Sequence, residues 1–324
     1  MTESLDLPES NFFPVEVKKA YIAILTTLFI TAFIPILFRI SESSITPNAT
    51  IFNRLWIATA ILGLWNGLLL LKQRYSGEVA TRTLQNSSDI KRFPNTNSLL
   101  LSLILAITFV SYQSLWAWSL TQTSVANSEV LHSVTPLLTT LLGWSLFGHK
   151  FDRLFLIGMA IAFTGSIALA ANDFSITVDK LSGDGVALLS ALFWAVNIVV
   201  MEKLRTQLSI IAITIVQCLS GTLFLLPILW LTGDELFPHS WSGWLTVMIL
   251  GITVIFTQTL MAYSLKWLSS GLVATILLIN PILTAILASL IFSETLNLLN
   301  WLSLLIILFG IYLTTLSKQS VKTE

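Results

Sequence analysis

Long apolar runs separated by short polar segments follow one another along almost the whole chain. A helix of about 20 apolar residues crosses a hydrocarbon core of about 30 Å, and the runs repeatedly reach this length. The pattern therefore predicts an all-α polytopic membrane protein with ten transmembrane helices. We place these helices at residues 18–39, 50–71, 98–118, 126–147, 151–171, 185–201, 208–231, 243–264, 271–292 and 298–316.

The polar segments between the runs predict turns, one loop and two tails. Turn-forming residues fill short connections such as Ser-Glu-Ser-Ser at 41–44 and Ser-Ser-Gly at 269–271. The connection 72–97 is much longer, mixed in charge and rich in Ser, Thr and Asn, which predicts a flexible tether. Residues 1–17 and 317–324 are also polar and are predicted to be tails.

Composition agrees with a membrane location. The chain is 55% hydrophobic and 10% charged, whereas an ordinary globular domain carries about 25% charged residues. Its single cysteine, Cys218, excludes an intramolecular disulfide framework and a cysteine metal cluster. A cleavable signal peptide begins with positive charge, but the first 17 residues carry four acidic ones. We therefore expect the first apolar run to remain as a helix.

The arrangement of charge predicts the orientation, because Lys and Arg accumulate on the cytoplasmic side of membrane proteins. When the N-terminus is placed inside, 14 of the 17 Lys and Arg residues fall in inner segments. The outer segments then hold Arg39 and Lys180, and Arg54 lies within a span. The sequence thus predicts an integral protein of the cytoplasmic (inner) membrane with both termini in the cytoplasm.

An internal duplication organises the chain. Residues 117–150 align with residues 262–295 without a gap at an offset of 145, so that Pro136 falls on Pro281. A period this long indicates a duplicated half-protein rather than a solenoid. Farther upstream the offset is 163, because the first half contains the longer loop. Ten spans give five per half, and an odd number predicts inverted repeats, which are common in secondary transporters.

Each half also carries the same series of features in its last two spans. A proline in the fourth span is followed by an apolar run, a short polar turn and a glycine in the fifth span. These are Pro136, Phe147-Gly-His-Lys and Gly165 in the first half, and Pro281, Phe292-Ser-Glu-Thr and Gly310 in the second.

This series resembles the drug/metabolite transporter superfamily, EamA type, over about residues 18–316. The family has Glu in the polar turn; Glu294 matches it, while His149 stands in that place in the first half. The resemblance implies repeats at 18–171 and 185–316, a central cavity and alternating access. It also implies a small organic metabolite, an amino acid or similar, as substrate and export as the direction.

Three titratable residues fall inside the predicted spans, where a charge costs about 2.5–3.5 kcal/mol on insertion scales. Arg54 and Glu129 lie about one turn from the outer starts of their spans, and His132 lies one turn deeper. One interpretation is a substrate site. The other is a structural Arg54–Glu129 ion pair together with a packing histidine. Because imidazole titrates near neutral pH, His132 is also a candidate for coupling transport to protons.

The paired prolines are the second candidate feature. Proline removes a backbone donor and bends a helix, and paired helix interruptions point to the binding site of a transporter. Pro136 and Pro281 are therefore predicted hinges beside the cavity, and static kinks are the alternative. Asn280 precedes Pro281 and could bind the freed carbonyls or a substrate.

Uncharged polar and aromatic side chains complete the predicted cavity. Each amide could instead hydrogen-bond a neighbouring helix, and tryptophans near span ends could anchor the interface. The polar candidates are Gln113, Asn197, Gln217, Gln258 and Tyr263, and the aromatic ones are Trp116, Trp118 and Trp194.

These observations favour a secondary transporter and not an enzyme. The chain has three His residues and lacks HExxH, GxSxG and P-loop signatures, so neither metal-assisted catalysis nor direct ATP use is expected. No cofactor and no nucleic-acid partner are expected. An organophosphate antiporter of related fold is disfavoured, since Arg54 is the one embedded cation. A transporter-like membrane protein without flux is a further alternative.

Overall fold

The computed structural model describes residues 14–41, 44–75, 96–122, 128, 131–170, 181–292 and 298–317. Regular structure in these residues is helical. The helices are α1 (Val15–Ala32), α2 (Ile34–Ser41), α3 (Pro47–Tyr75), α4 (Thr96–Gln122), α5 (Thr135–Phe147), α6 (Arg153–Ala170), α7 (Leu181–Leu204), α8 (Ile210–Thr232), α9 (Trp241–Trp267), α10 (Ser270–Leu277), α11 (Asn280–Phe292) and α12 (Leu298–Leu316).

Membrane-type composition is evident in these helices. Five segments are long and apolar enough to cross a membrane: Val15–Phe38, Thr96–Ser119, Ser182–Leu204, Ile210–Thr232 and Trp241–Trp267. Shorter apolar helices cover Thr135–Phe147, Arg153–Ala168, Ser270–Thr284 and Trp301–Leu316. The prediction of an all-α membrane protein is confirmed by this architecture.

Several element boundaries differ from those predicted. The helix α3 continues to Tyr75 and α4 begins at Thr96, so both ends of the predicted 72–97 loop are helical. The proposed turn at 269–271 is the start of α10, because the Ser269 side chain accepts a hydrogen bond from Leu272 N and caps the helix. Serine is among the preferred N-cap residues.

Three predicted spans are interrupted. The first divides into α1 and α2 at Phe33, two residues before Pro35. In the fourth and ninth, a turn at Ser133–Val134 precedes α5 and a turn at Leu278–Ile279 separates α10 from α11. The two helices that follow, α5 and α11, are each 13 residues long and start 145 residues apart. Equivalent prolines have thus produced equivalent breaks.

The last helices of the two halves, α6 and α12, pack against each other more extensively than any other pair among the described helices. A Cβ atom built on Gly158 would lie 2.6 Å from Gly310 O, and one on Gly165 would lie 3.0 Å from Ile307 N. Residue numbers rise along α6 as they fall along α12, so the two helices run antiparallel. Small residues permit this backbone contact, as in many membrane helix pairs.

The other large contacts follow the repeat as well, when each broken helix is counted as one. The third helix of each half packs on the first helix of the other, as α4 on α7 and α9 on α1. Ser190 Oγ donates to Tyr112 O at 2.7 Å, and Asn197 Nδ2 donates to Leu105 O at 3.0 Å. These bonds show that α4 and α7 are antiparallel, as expected if equivalent helices cross in opposite directions.

Two hydrophobic clusters fill the interior, one including Ile24, Phe155 and Leu265 and the other including Leu55 and Phe109. The outer faces of the helices are also apolar. Exposed side chains include Leu64, Trp65, Trp230, Trp241 and Leu305. Large apolar surfaces of this kind indicate contact with lipid or with a partner protein, and the composition favours lipid.

Candidate functional site

A cavity of about 160 Å³ lies where the two proline-interrupted helices meet. Residues from α1, α5, α7, α10 and α11 and from the turns beside them enclose it. The lining consists of Thr31, His132, Ser133, Thr135, Pro136, Trp194, Ala274, Leu277, Leu278, Asn280 and Pro281.

Equivalent residues of the two halves line this cavity. Pro136 and Pro281 are 145 residues apart, and so are Thr135 and Asn280. Thr31 and Trp194 are 163 residues apart, which is the offset that places Arg54 on Gln217. The structure therefore brings the predicted hinge prolines and Asn280 together at a junction of the repeats.

Side-chain hydrogen bonds occupy backbone and amide groups beside the breaks. Thr135 Oγ1 donates to His132 O at 2.6 Å, the carbonyl that Pro136 leaves without its helical donor. On the other side, Thr31 Oγ1 donates to Asn280 Oδ1 at 3.0 Å. Thr284 Oγ1 donates to Ala32 O at 3.2 Å. The last two bonds join α1 to α11, so the wall on this side is built by both halves.

His132 is half-buried, and its ring both hydrogen-bonds Ser190 and lines the cavity. Its Nε2 lies 3.0 Å from Ser190 Oγ, and Ser190 Oγ donates to Tyr112 O. Because a hydroxyl has one proton to give, we assign the hydrogen between His132 and Ser190 to Nε2. This bond is the one that a packing histidine would make. The ring also lines the cavity, so proton coupling through His132 stays a prediction.

The described lining has a polar part and an apolar part. Hydroxyl, amide and imidazole groups come from Thr31, Ser133, Thr135, Asn280 and His132. The remaining surface is formed by Trp194, Leu277, Leu278, Ala274 and the two proline rings. None of these lining residues is Lys, Arg, Asp or Glu. Such a site can hydrogen-bond the polar part of a small molecule and pack against its apolar part.

Arg54 is placed away from this lining. It is 8% exposed, its guanidinium lies 5.1 Å from the centre of the Phe38 ring, and its Nε atom is buried without a hydrogen-bond partner. No carboxylate of the described part of the chain forms an ion pair with it. Glu129, its predicted partner, lies outside the described residues, so the Arg54–Glu129 pair stays a prediction.

The predicted amides also lie apart from the cavity and between helices. Asn197 Nδ2 donates to Leu105 O and to Thr108 Oγ1, and Gln217 Nε2 donates to Asn197 Oδ1 at 3.2 Å. This network joins α4, α7 and α8, as the interhelical alternative predicts. Gln113 and Gln258 are buried too, and neither lines the cavity.

The remaining aromatic candidates divide by position. Trp194 lines the cavity, whereas Trp116 packs edge-on against Phe38 with ring centres 6.0 Å apart. Trp118 is 47% exposed, which fits an interfacial anchor. Tyr263 donates to Glu16 Oε2 at 2.9 Å and so joins the ends of α1 and α9.

Comparison with known proteins identifies the family. The EamA-like transporter family model matches residues 18–171 and again residues 181–316. A protein named "uncharacterized inner membrane transporter YedA" from Escherichia coli (strain K12) is 27% identical over 59% of this chain and 62% of its own length. "Uncharacterized transporter YxxF" from Bacillus subtilis (strain 168) is 24% identical over 62% of this chain and 65% of its own length. The matches thus span less than two thirds of these relatives.

One solved crystal structure matches 92% of this chain and 98% of its own with a TM-score of 0.74 at 18% identity. At this identity the likeness shows the fold alone. The two-fold family match covers most of the chain and confirms the resemblance inferred from the repeated proline and glycine pattern. The chain belongs to the EamA-like transporter family.

Proposed function

We propose that the protein is a secondary transporter that moves a small organic metabolite, an amino acid or similar, out of the cell by alternating access. It acts in the cytoplasmic membrane, with ten spans, inverted five-helix repeats and both termini inside. The cavity at the two proline breaks is the substrate site. Membership of a transporter family supports transport activity, and the family resemblance supports export as its direction.

One observation carries the proposal. Pro136 and Pro281 interrupt equivalent helices, and both interruptions line one cavity enclosed by the two halves. In inverted-repeat transporters the substrate lies at discontinuous helices between the repeats, near the membrane midplane. Movement of one repeat against the other around such a cavity would open it to each side in turn.

Antiparallel packing supports the inverted arrangement. The equivalent helices α6 and α12, five spans apart, run in opposite directions. So do α4 and α7, which are three spans apart. The 14 Lys and Arg residues of the inner segments support the orientation.

The lining favours a substrate with little net charge. Phosphate esters are held by several cations, but the described lining residues include neither Lys nor Arg. This disfavours an organophosphate antiporter. An amphipathic metabolite with hydrogen-bonding groups on one side fits the division between the hydroxyl-rich wall and the Trp194 wall.

Purified protein in liposomes tests the function. An unbiased metabolite profile of cells with and without the gene gives the candidates, and vesicles loaded with an isotope-labelled extract of cytoplasmic small molecules show which one leaves. Asn280→Ala should slow that flux by up to about tenfold, the worth of one hydrogen bond. Asn66→Ala is the matched control, because Asn66 bonds its own helix at Leu62 O. If no component of the extract leaves the vesicles, the proposal is contradicted, and the alternative of a transporter-like membrane protein without flux is favoured.

A further inference from the structure

The turn after α5 departs from the family pattern at His149, and the structure places a buried carboxylate beside it. Glu202, near the end of α7, is 4% exposed, and its Oε1 lies 3.9 Å from His149 Nε2. Gly148 adopts a left-handed conformation, with a φ of 66°, and closes α5 so that the chain turns back over its last residues. His149 is thereby directed toward α7.

The same carboxylate binds the start of α10. Ser270 N donates to Glu202 Oε2 at 3.2 Å. The first N–H groups of a helix have no partner within the helix, and the positive end of the helix dipole favours an anion. Glu202 therefore bridges the end of α7, the first turn of α10 and the turn after α5.

The first turn of α10 is enclosed at this place. Every residue from Ser270 to Ile276 is buried. A Cβ atom added to Gly271 would lie 2.9 Å from Thr140 Oγ1 and 3.0 Å from Phe155 Cζ. The first turn of α10 is thus packed tightly against α5 and α6, whereas its other end reaches the cavity at Ala274 and Leu277.

The repeat supplies an independent argument. The offset of 145 places Glu294 opposite His149, and the offset of 163 places Arg39 opposite Glu202. The pair His149 and Glu202 is thus aligned with the pair Glu294 and Arg39. Each pair contains one basic and one acidic residue, and the basic and acidic positions are exchanged between the two pairs.

We propose that Glu202 is a positioning residue of the transport cycle that fastens the cytoplasmic gate. Its bond to Ser270 N and its contact with His149 hold α10 against α5 and α7, and closure of the cytoplasmic path depends on it. Opening toward the cytoplasm requires α10 to leave this carboxylate. The inference rests on the proposed transport function and orientation.

Thiol labelling from one side tests the gate without any substrate. Ala274→Cys, a cavity-lining reporter, is labelled with a membrane-impermeant methanethiosulfonate in inside-out vesicles. The native Cys218 is buried and gives the background. Adding Glu202→Ala should raise the labelling rate from the cytoplasmic side about tenfold, as expected when one charged hydrogen bond is removed. In right-side-out vesicles the rate should not rise.

Two further variants make the result specific. Glu202→Gln keeps an acceptor for Ser270 N without the charge, so its rate should rise about threefold, because neutral hydrogen bonds are roughly half as strong. Glu235→Ala removes the carboxylate of an exposed Glu–His pair and should leave labelling unchanged. Equal rates with and without Glu202, or faster labelling from both sides, would overturn the gate. Absence of flux with one-sided labelling intact would refute the transport proposal alone.

Discussion

At the scale of single residues, the burial of Arg54 needs an energetic explanation. Arg54 is 8% exposed as a whole residue, and a charge within a membrane span costs about 2.5–3.5 kcal/mol on insertion scales. The contact with the Phe38 ring at 5.1 Å offsets part of this free-energy cost, since cation–π contacts contribute about 0.5–2 kcal/mol. An anionic group of the protein or of the substrate would offset the remainder.

A charge exchange distinguishes these two partners. If Arg54 pairs only with Glu129, each single change, Arg54→Glu or Glu129→Arg, should reduce insertion and stability by about 3–5 kcal/mol, the range for breaking a buried pair. The double exchange should then restore both folding and flux. If the pair also contacts the substrate, the double variant should fold and insert but transport poorly, because the local field is reversed. Detergent-extracted yield and liposome flux are the two measurements.

Single residues were predictable where the repeat gave them a partner. Pro136 and Pro281 were expected at the cavity because they align between the halves, and Asn280 because it precedes Pro281. The hydroxyl residues Thr31, Ser133 and Thr135 were missed. Hydroxyls are frequent in these helices, where many bond their own backbone, as Thr27 does at Ala23 O. A hydroxyl alone therefore carries little information about which way it faces, and the two offsets, 145 and 163, are the signal that could have identified these positions.

At the scale of helices, the contact between α6 and α12 predicts a sharp difference between glycines. Gly310→Ala would place a methyl group 2.5 Å from Gly158 O, so the helices must separate, at a cost of about 1–3 kcal/mol for an overpacked interior. Gly63→Ala meets no atom within 4 Å and should be neutral or stabilising by about 0.5–1 kcal/mol. Thermal unfolding in detergent measures both. A stable Gly310→Ala protein would contradict the backbone contact.

The helix breaks predict a second contrast, between prolines. Pro281→Ala restores the donor that α10–α11 lacks and allows a continuous helix through the cavity wall. We expect flux in proteoliposomes to fall while thermal stability is kept. Pro227 also lies inside a helix, α8, but outside the cavity lining. Pro227→Ala should leave flux unchanged. Equal flux in the wild type and Pro281→Ala would show that the break is a static kink.

Whole helices were predictable from hydrophobicity, since the apolar runs anticipated most boundaries to within a few residues. The division of the first span at Phe33 was not foreseen, although Pro35 follows. Its equivalent position in the second half is Val196, inside the unbroken helix α7. The repeat therefore favoured an unbroken first helix, but the local effect of Pro35 on the backbone outweighed it.

At the scale of the whole molecule, the charge distribution predicts the topology. Reporter fusions at Gln85 and at Ser320 should both indicate the cytoplasm, and a fusion at Asp179 should indicate the outside. The reason is the excess of Lys and Arg in the inner segments. The measurement uses two reporters at each position, one that is active only in the cytoplasm and one that is active only outside. An outside result at Ser320 would refute the even number of spans.

The antiparallel contact of α6 and α12 also bears on how such a chain can be assembled. Gly165 of α6 contacts Ile307 of α12, and Gly310 of α12 contacts Ala162 of α6. At the offset of 145, Gly165 aligns with Gly310 and Ala162 aligns with Ile307. Each half thus offers a surface that fits the equivalent surface of the other when one of them is turned upside down. Two separate polypeptides could form this contact only by entering the membrane in opposite senses. Joining them in one chain meets that requirement, because the order of the spans then sets the opposite orientation of the two halves.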